Sequence, residues 1–187
     1  MLRALFGQRR ASNEKIVEAL YEAIVAAARQ EPFYAQAQVP DIPLGRYEML
    51  SLHMLLFLRR MKRETDPAAQ ELTQAVVEEF FKDIDHSLRE LGIGDSSVPK
   101  RMKKLARMFY GRGESYGAAL EDNDIEGMTR ALKRNIRPDD EKWPQAPALT
   151  QYAFAAVRNL DEQSAAQIVR GRLVFPDAAG AMQVVAD

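Results

Sequence analysis

The sequence predicts an all-α protein, a compact single-domain bundle of six or seven helices. Three observations carry that expectation. Apolar residues return every third or fourth position through most of the chain, the period of one helix face. Proline and glycine cluster between those stretches rather than inside them. No pair of alternating apolar–polar runs is present to make a hairpin, and there is no internal repeat. A length of 187 residues with 47% hydrophobic and 28% charged residues fits one globular domain with a real core and excludes a wholly disordered chain.

In chain order, Ser12 or Asn13 is placed to cap a first helix, whose apolar positions Ile16, Leu20, Ile24 and Ala27 follow at helical spacing. From Glu31 to Gly45, Pro32, Pro40 and Pro43 predict an extended loop that packs Phe33 and Tyr34. The most apolar stretch, Tyr47 to Leu58, predicts a buried central helix over about Arg46–Arg63. Asp66-Pro67 reads as an N-cap followed by proline at the first helical position, opening a helix through Leu72, Val76, Phe80, Ile84 and Leu88 to a stop near Gly92. Pro99 starts the next helix, which passes Tyr110. Asn123 or Asp124 caps a short one to about Asn135, and Ala148–Leu160 makes a sixth. A short seventh, Glu162–Val169, stops before Gly171. The division expected is a flexible basic N-terminus over 1–12, an all-α domain over 13–170 and a loose C-terminal tail over 171–187. Within the N-terminus, Leu2, Leu5 and Phe6 opposite Arg3, Arg9 and Arg10 could also form a short basic amphipathic foot.

Composition removes several function classes. There is no cysteine, which excludes disulfide scaffolds, thiolate zinc sites and cysteine nucleophiles together. A formal net charge of −1 argues against a general nucleic-acid binder. The first ten residues have too short an apolar run for a secretory signal, and Tyr47–Leu58 is too short to span a bilayer, so a soluble protein is expected.

Three patterns in the chain resemble sites of chemistry, and each has a simpler structural reading. Gly113-Glu114-Ser115-Tyr116-Gly117 matches the nucleophile elbow letter for letter. The elbow needs a strand entering the turn, though, and here the preceding residues are helical in pattern, with both histidines, His53 and His86, ahead of the serine. Glu79, Asp83 and His86 share a helix face at metal-ligand spacing, but a solvated acidic face explains them better than a lone Asp-x-x-His. His53, in the middle of the most apolar helix, reads as a hydrogen-bonded core residue, with a partner or ligand contact left open. No catalytic residue, metal ligand or cofactor is assigned, and nothing in the pattern argues for an enzyme.

The feature that stands out is the run from Pro99 to Arg112, which holds no acid. On a helix, Met102, Leu105, Ala106 and Phe109 form an apolar stripe, and Lys100, Lys103, Lys104 and Arg107 line its flanks and back. The preceding helix is acidic, with Glu71, Glu78, Glu79, Asp83, Asp85 and Glu90. The two helices face and cancel each other, or the charges are simply solvated, or the basic helix is a cationic docking surface for an acidic partner, RNA phosphate or an anionic membrane. The candidate partner-binding residues are Lys100, Arg101, Lys103, Lys104, Arg107, Arg112, His53 and Tyr110. The methionines in and beside the core helices serve chiefly as core filling, with a use in repacking around apolar clients as the second reading.

Three blocks carry a resemblance: RYEMLSLHMLLFLRRMK from Arg46 to Lys62, FFKDIDHSLRELGIG from Phe80 to Gly94, and VPKRMKKLARMFYGR from Val98 to Arg112 with YGAAL from Tyr116 to Leu120. In that order and spacing they resemble the ubiquinol–cytochrome c chaperone family, assembly factors of respiratory complex III, over about Glu31 to Leu160. The third block looks like the bacterial form, and no mitochondrial targeting extension precedes it, so a bacterial cytoplasmic protein, peripheral at the inner membrane, is expected. The resemblance implies a non-enzymatic, all-α assembly chaperone that binds newly made cytochrome b or another membrane-protein client. It also implies docking near the ribosome or an anionic membrane surface. The alternative is a general interaction module that binds membrane or RNA with no cytochrome client.

Overall fold

The apolar run Tyr47–Leu58 lies inside the helix around which the others are arranged. In the computed structural model, which describes the backbone of residues 2–183 and the side chains of residues 13–183, that helix is α3, Pro43–Met61. It is buried on nearly every side, including Met49, Leu52, Met54, Leu56 and Phe57, as an all-round apolar helix must be. Ahead of it come α1 (Leu2–Ala28) and α2 (Glu31–Ala35); after it come α4 (Pro67–Glu90), α5 (Val98–Glu121), α6 (Ile125–Ile136), α7 (Ala146–Glu162), α8 (Ala165–Ile168) and α9 (Ala178–Met182). The all-α expectation holds: the described residues form six long helices and three of four or five residues. Helices α1, α4, α5, α6 and α7 all touch α3, and α9 closes against α7.

The local signals act where the sequence puts them. The Asp66 carboxylate accepts from the Ala68 amide at the start of α4. Leu72, Val76, Phe80, Ile84 and Leu88 are all buried along one face. Gly92, at φ 76°, then ends α4 in a left-handed turn, with the Gly92 and Ile93 amides donating to Arg89 O and Leu88 O at 2.9 and 3.2 Å. Asp124, not Asn123, caps α6 through the Gly127 amide. Before α3 the chain folds so tightly that a Cβ on Gly45 would stand 1.9 Å from Pro40 O, so only glycine fits there.

Three boundaries differ from expectation. Helix α1 runs through Ser12 and Asn13 instead of starting there, since interior serine or asparagine costs a helix only a few tenths of a kcal/mol and no proline enforces a break. The basic foot expected of Arg3, Arg9 and Arg10 concerns side chains outside the described residues. Glu31–Ala35 forms one short helix within the expected loop, because Pro32 sits in its first turn, where no amide hydrogen is required. The segment after Gly171, expected as a loose tail, is packed as far as Met182. Leu173, Ala178 and Met182 are buried. The Gln163 side chain pairs with both backbone groups of Val174, and Gln30 bonds Pro176 O and the Ala178 amide. Two glutamines thus replace the missing secondary-structure partners of this segment. Residues 184–187 of the expected tail lie outside the described residues.

Candidate functional site: the two faces of α5

The α5 face that meets the bundle is built from Val98, Met102, Leu105, Phe109 and Tyr116. The Tyr47 hydroxyl donates to Leu105 O at 2.7 Å and pins the middle of α5 to α3. An aromatic ladder joins α4 to α5. Phe80 and Phe109, 4.9 Å apart, lie in the core; Phe81 is half-buried beside them; Tyr110, 6.4 Å from Phe81, emerges with 61% of its surface exposed.

The opposite face carries the cations. Lys100, Lys103, Lys104 and Arg107 stand at i, i+3, i+4 and i+7, which one helix face must bring together, with Arg101 on its shoulder. All five are exposed. Among the described residues none of them pairs with a carboxylate: no ion pair includes one. Four of the six acids named on α4 are engaged elsewhere. Glu79 holds Lys82 at 3.0 Å, Asp85 holds Arg89 at 2.6 Å, Glu90 meets His86 at 3.2 Å, and Asp83 accepts from the Tyr21 hydroxyl at 2.7 Å. The alternative in which the basic and acidic helices cancel each other is therefore not what these residues do.

Two of the eight candidate residues lie elsewhere. Arg112 is buried, its guanidinium gripped from two nitrogens by the Glu48 carboxylate of α3, with a further bond to Met108 O at 3.0 Å. Burial pushes the Glu48 carboxyl up, against the pull of Arg112 beside it. Arg112 thus fastens α5 to α3 and adds nothing to the exposed charge. His53 has no exposed surface. One ring nitrogen lies 2.8 Å from Met49 O and the other 2.7 Å from the Tyr152 hydroxyl. A carbonyl only accepts, so Nδ1 carries the proton, and the Tyr152 O–H donates to Nε2. Desolvation by the core, packed with Phe33 and Phe175, holds the ring's pKa down at about 4. Both nitrogens are satisfied in the neutral state, which is the hydrogen-bonded core role expected of His53.

The motifs set aside also find their places. Ser115 stands inside α5, its hydroxyl donating to Arg112 O at 3.3 Å, so the elbow pattern is a stretch of helix. Glu79, Asp83 and His86 reach three different partners, and among the described residues no cluster of three or more metal-ligating side chains occurs. No described helix is long and apolar enough to cross a membrane. Sequence reasoning missed Glu48, and its one signal was an acid inside the most apolar helix, where a charge needs a partner.

The sequence matches the family described as ubiquinol-cytochrome C chaperone over residues 35–175. The crystal structure of the Cbp3 homolog from Brucella abortus is similar at 57% identity and a TM-score of 0.88, covering 96% of this chain and 98% of that one. The mouse ubiquinol-cytochrome c reductase complex assembly factor 1 is 24% identical over 148 residues, 78% of this chain but 49% of the mouse protein. The Xenopus laevis protein of the same description is 23% identical over 145 residues, 76% of this chain and 70% of that protein. The match therefore spans about half the length of the mouse relative.

Proposed function

The chain belongs to the ubiquinol-cytochrome C chaperone family, and from that premise we propose that it promotes assembly of ubiquinol–cytochrome c reductase, engaging newly made cytochrome b while docked on an anionic membrane surface through the basic face of α5. The family is one of chaperones, not of enzymes. The observation that carries the docking is the set of five exposed cations on one helix with no carboxylate among the described residues to neutralise them. Near an anionic leaflet each contributes about 1 kcal/mol, and Tyr110 beside them has the amphipathic ring that settles at headgroup depth.

The test has two arms. Deleting the gene in its native host should lower cytochrome b and the assembled reductase, and the wild-type gene should restore both; unchanged levels would remove the assembly reading. For the purified protein, binding to vesicles containing anionic lipid should weaken steeply with salt. The Lys100→Glu/Lys103→Glu/Lys104→Glu/Arg107→Glu variant should lose on the order of a thousandfold in affinity. Vesicle binding that ignores salt or the variant would remove the docking reading, and salt-sensitive binding to RNA but not to vesicles would replace it.

A further inference from the structure

A second surface differs in every respect from the α5 face. Between the Asn13–Glu18 turn of α1 and the length of α4 from Asp66 to Lys82 runs an open groove of about 1520 Å³. Pockets for small molecules hold roughly 300–1000 Å³ and close around their ligand; this one is larger and open along one side, so it suits a segment of polypeptide. Its floor is apolar: Ile16 and Val17 from α1, Leu72 and Ala75 from α4, and Val169 from the turn after α8. Its rim is acidic. Glu18 stands on one side and Glu71 on the other, both exposed and, among the described residues, without an ion pair or hydrogen bond. Glu78 adds a third carboxylate, which among the described residues meets only the amide of Gln74. The one lysine among the described lining residues, Lys82, is held by Glu79 at 3.0 Å.

We infer that this groove receives a Lys/Arg-rich amphipathic helix from a partner protein. The apolar floor takes the buried face of such a helix, and the acids on both sides meet cations flanking that face. Pro67 to Lys82 is sixteen residues of α4, about 24 Å at 1.5 Å per residue, enough to lie along four to five turns. Segments of this composition flank membrane spans on the cytoplasmic side, where lysine and arginine accumulate. The groove goes beyond the assembly reading: it is lined by α1 and α4, shares no residue with the basic face of α5, and needs no membrane to be tested.

The experiment uses the whole chain and a fluorescein-labelled helical peptide of about sixteen residues, leucines on one face and lysines flanking them. Two controls are a scrambled peptide of identical composition and a version with glutamate for lysine. The cationic helix should bind, with the scrambled peptide at least tenfold weaker and the glutamate version not binding. Glu18→Lys/Glu71→Lys should weaken it at least tenfold, and Glu18→Gln/Glu71→Gln should do so in part. Both pairs sit on exposed helix positions, and unchanged thermal unfolding would show that the fold is intact. Lys103→Glu/Lys104→Glu, on the α5 face, should leave peptide affinity within twofold at 0.15 M salt, where the screening length is about 8 Å. Equal binding of the scrambled peptide, indifference to Glu18 and Glu71, or dimers of this chain that those substitutions dissociate would each overturn the inference. Peptide binding by a wild-type chain that does not bind anionic vesicles would count against the α5 docking alone.

Discussion

The first half of α5 and the second half use the same residue type for opposite ends. Arg107 and Arg112 are five residues apart in one basic run. Arg107 is exposed and unpaired among the described residues; Arg112 is buried against Glu48 and bonds Met108 O as well. Five residues turn a helix by about 500°, or 140° beyond a full revolution, which carries the side chain from the solvent face to the flank that meets α3. A basic stretch is therefore not one feature. Its rotation decides which cations hold the fold and which remain for something outside it.

The largest test of that division lies in the buried half. Arg112→Ala or Glu48→Ala alone leaves an uncompensated charge in the core and should cost about 3–5 kcal/mol. In a chain of this size that lowers the thermal midpoint by on the order of 10 °C. The double substitution Glu48→Met/Arg112→Met removes both charges and should recover most of the loss, because the penalty comes from the orphaned partner. Single variants that unfold within about 1 kcal/mol of wild type would mean that the pair does not fasten α3 to α5.

His53 sharpens the contrast from a buried group that must stay neutral. The folded core holds its pKa near 4, whereas in the unfolded chain the ring protonates near 6.5. Between those values the unfolded state binds more protons, so stability falls as pH drops, by about 3 kcal/mol over the whole interval. Above 6.5 the ring is neutral in both states and contributes no pH dependence. Urea unfolding of wild type and His53→Gln across this range isolates the effect: the variant should show the shallower fall, and parallel curves would sink the assignment.

These residues also mark how far the sequence could be read. The helices were legible because period, caps and proline breaks act within a few residues: Asp66 caps α4, Gly92 ends it, and Leu72 to Leu88 face inward as spaced. The exposed cations from Lys100 to Arg107 were legible for the same reason, as one face of one helix. Arg112 was grouped with them by proximity in sequence. Its position three residues after Phe109 and four before Tyr116 already put it on the apolar side. What no local signal gives is the partner: Glu48 is 64 residues away and Tyr152 is 99 from His53, pairings set by how α3, α5 and α7 pack. Nor did the sequence show that Gln30 and Gln163 tie down the chain beyond Gly171, since each reaches a backbone group brought near only by tertiary packing.

The smallest expected effect is the most discriminating. Arg107→Gln removes one exposed cation that touches no carboxylate among the described residues, so unfolding free energy should move by no more than about 0.5 kcal/mol. On the reading above, the same change weakens binding to anionic vesicles by about 1 kcal/mol, roughly fivefold. Arg112→Gln should do the reverse, a large loss of stability with little direct effect on vesicle affinity under conditions where the protein stays folded. Two arginines in one run would then separate cleanly, one read by unfolding and the other by binding. If Arg107→Gln destabilises as Arg112→Gln does, the exposed face is part of the fold, and its charge is not free for a partner.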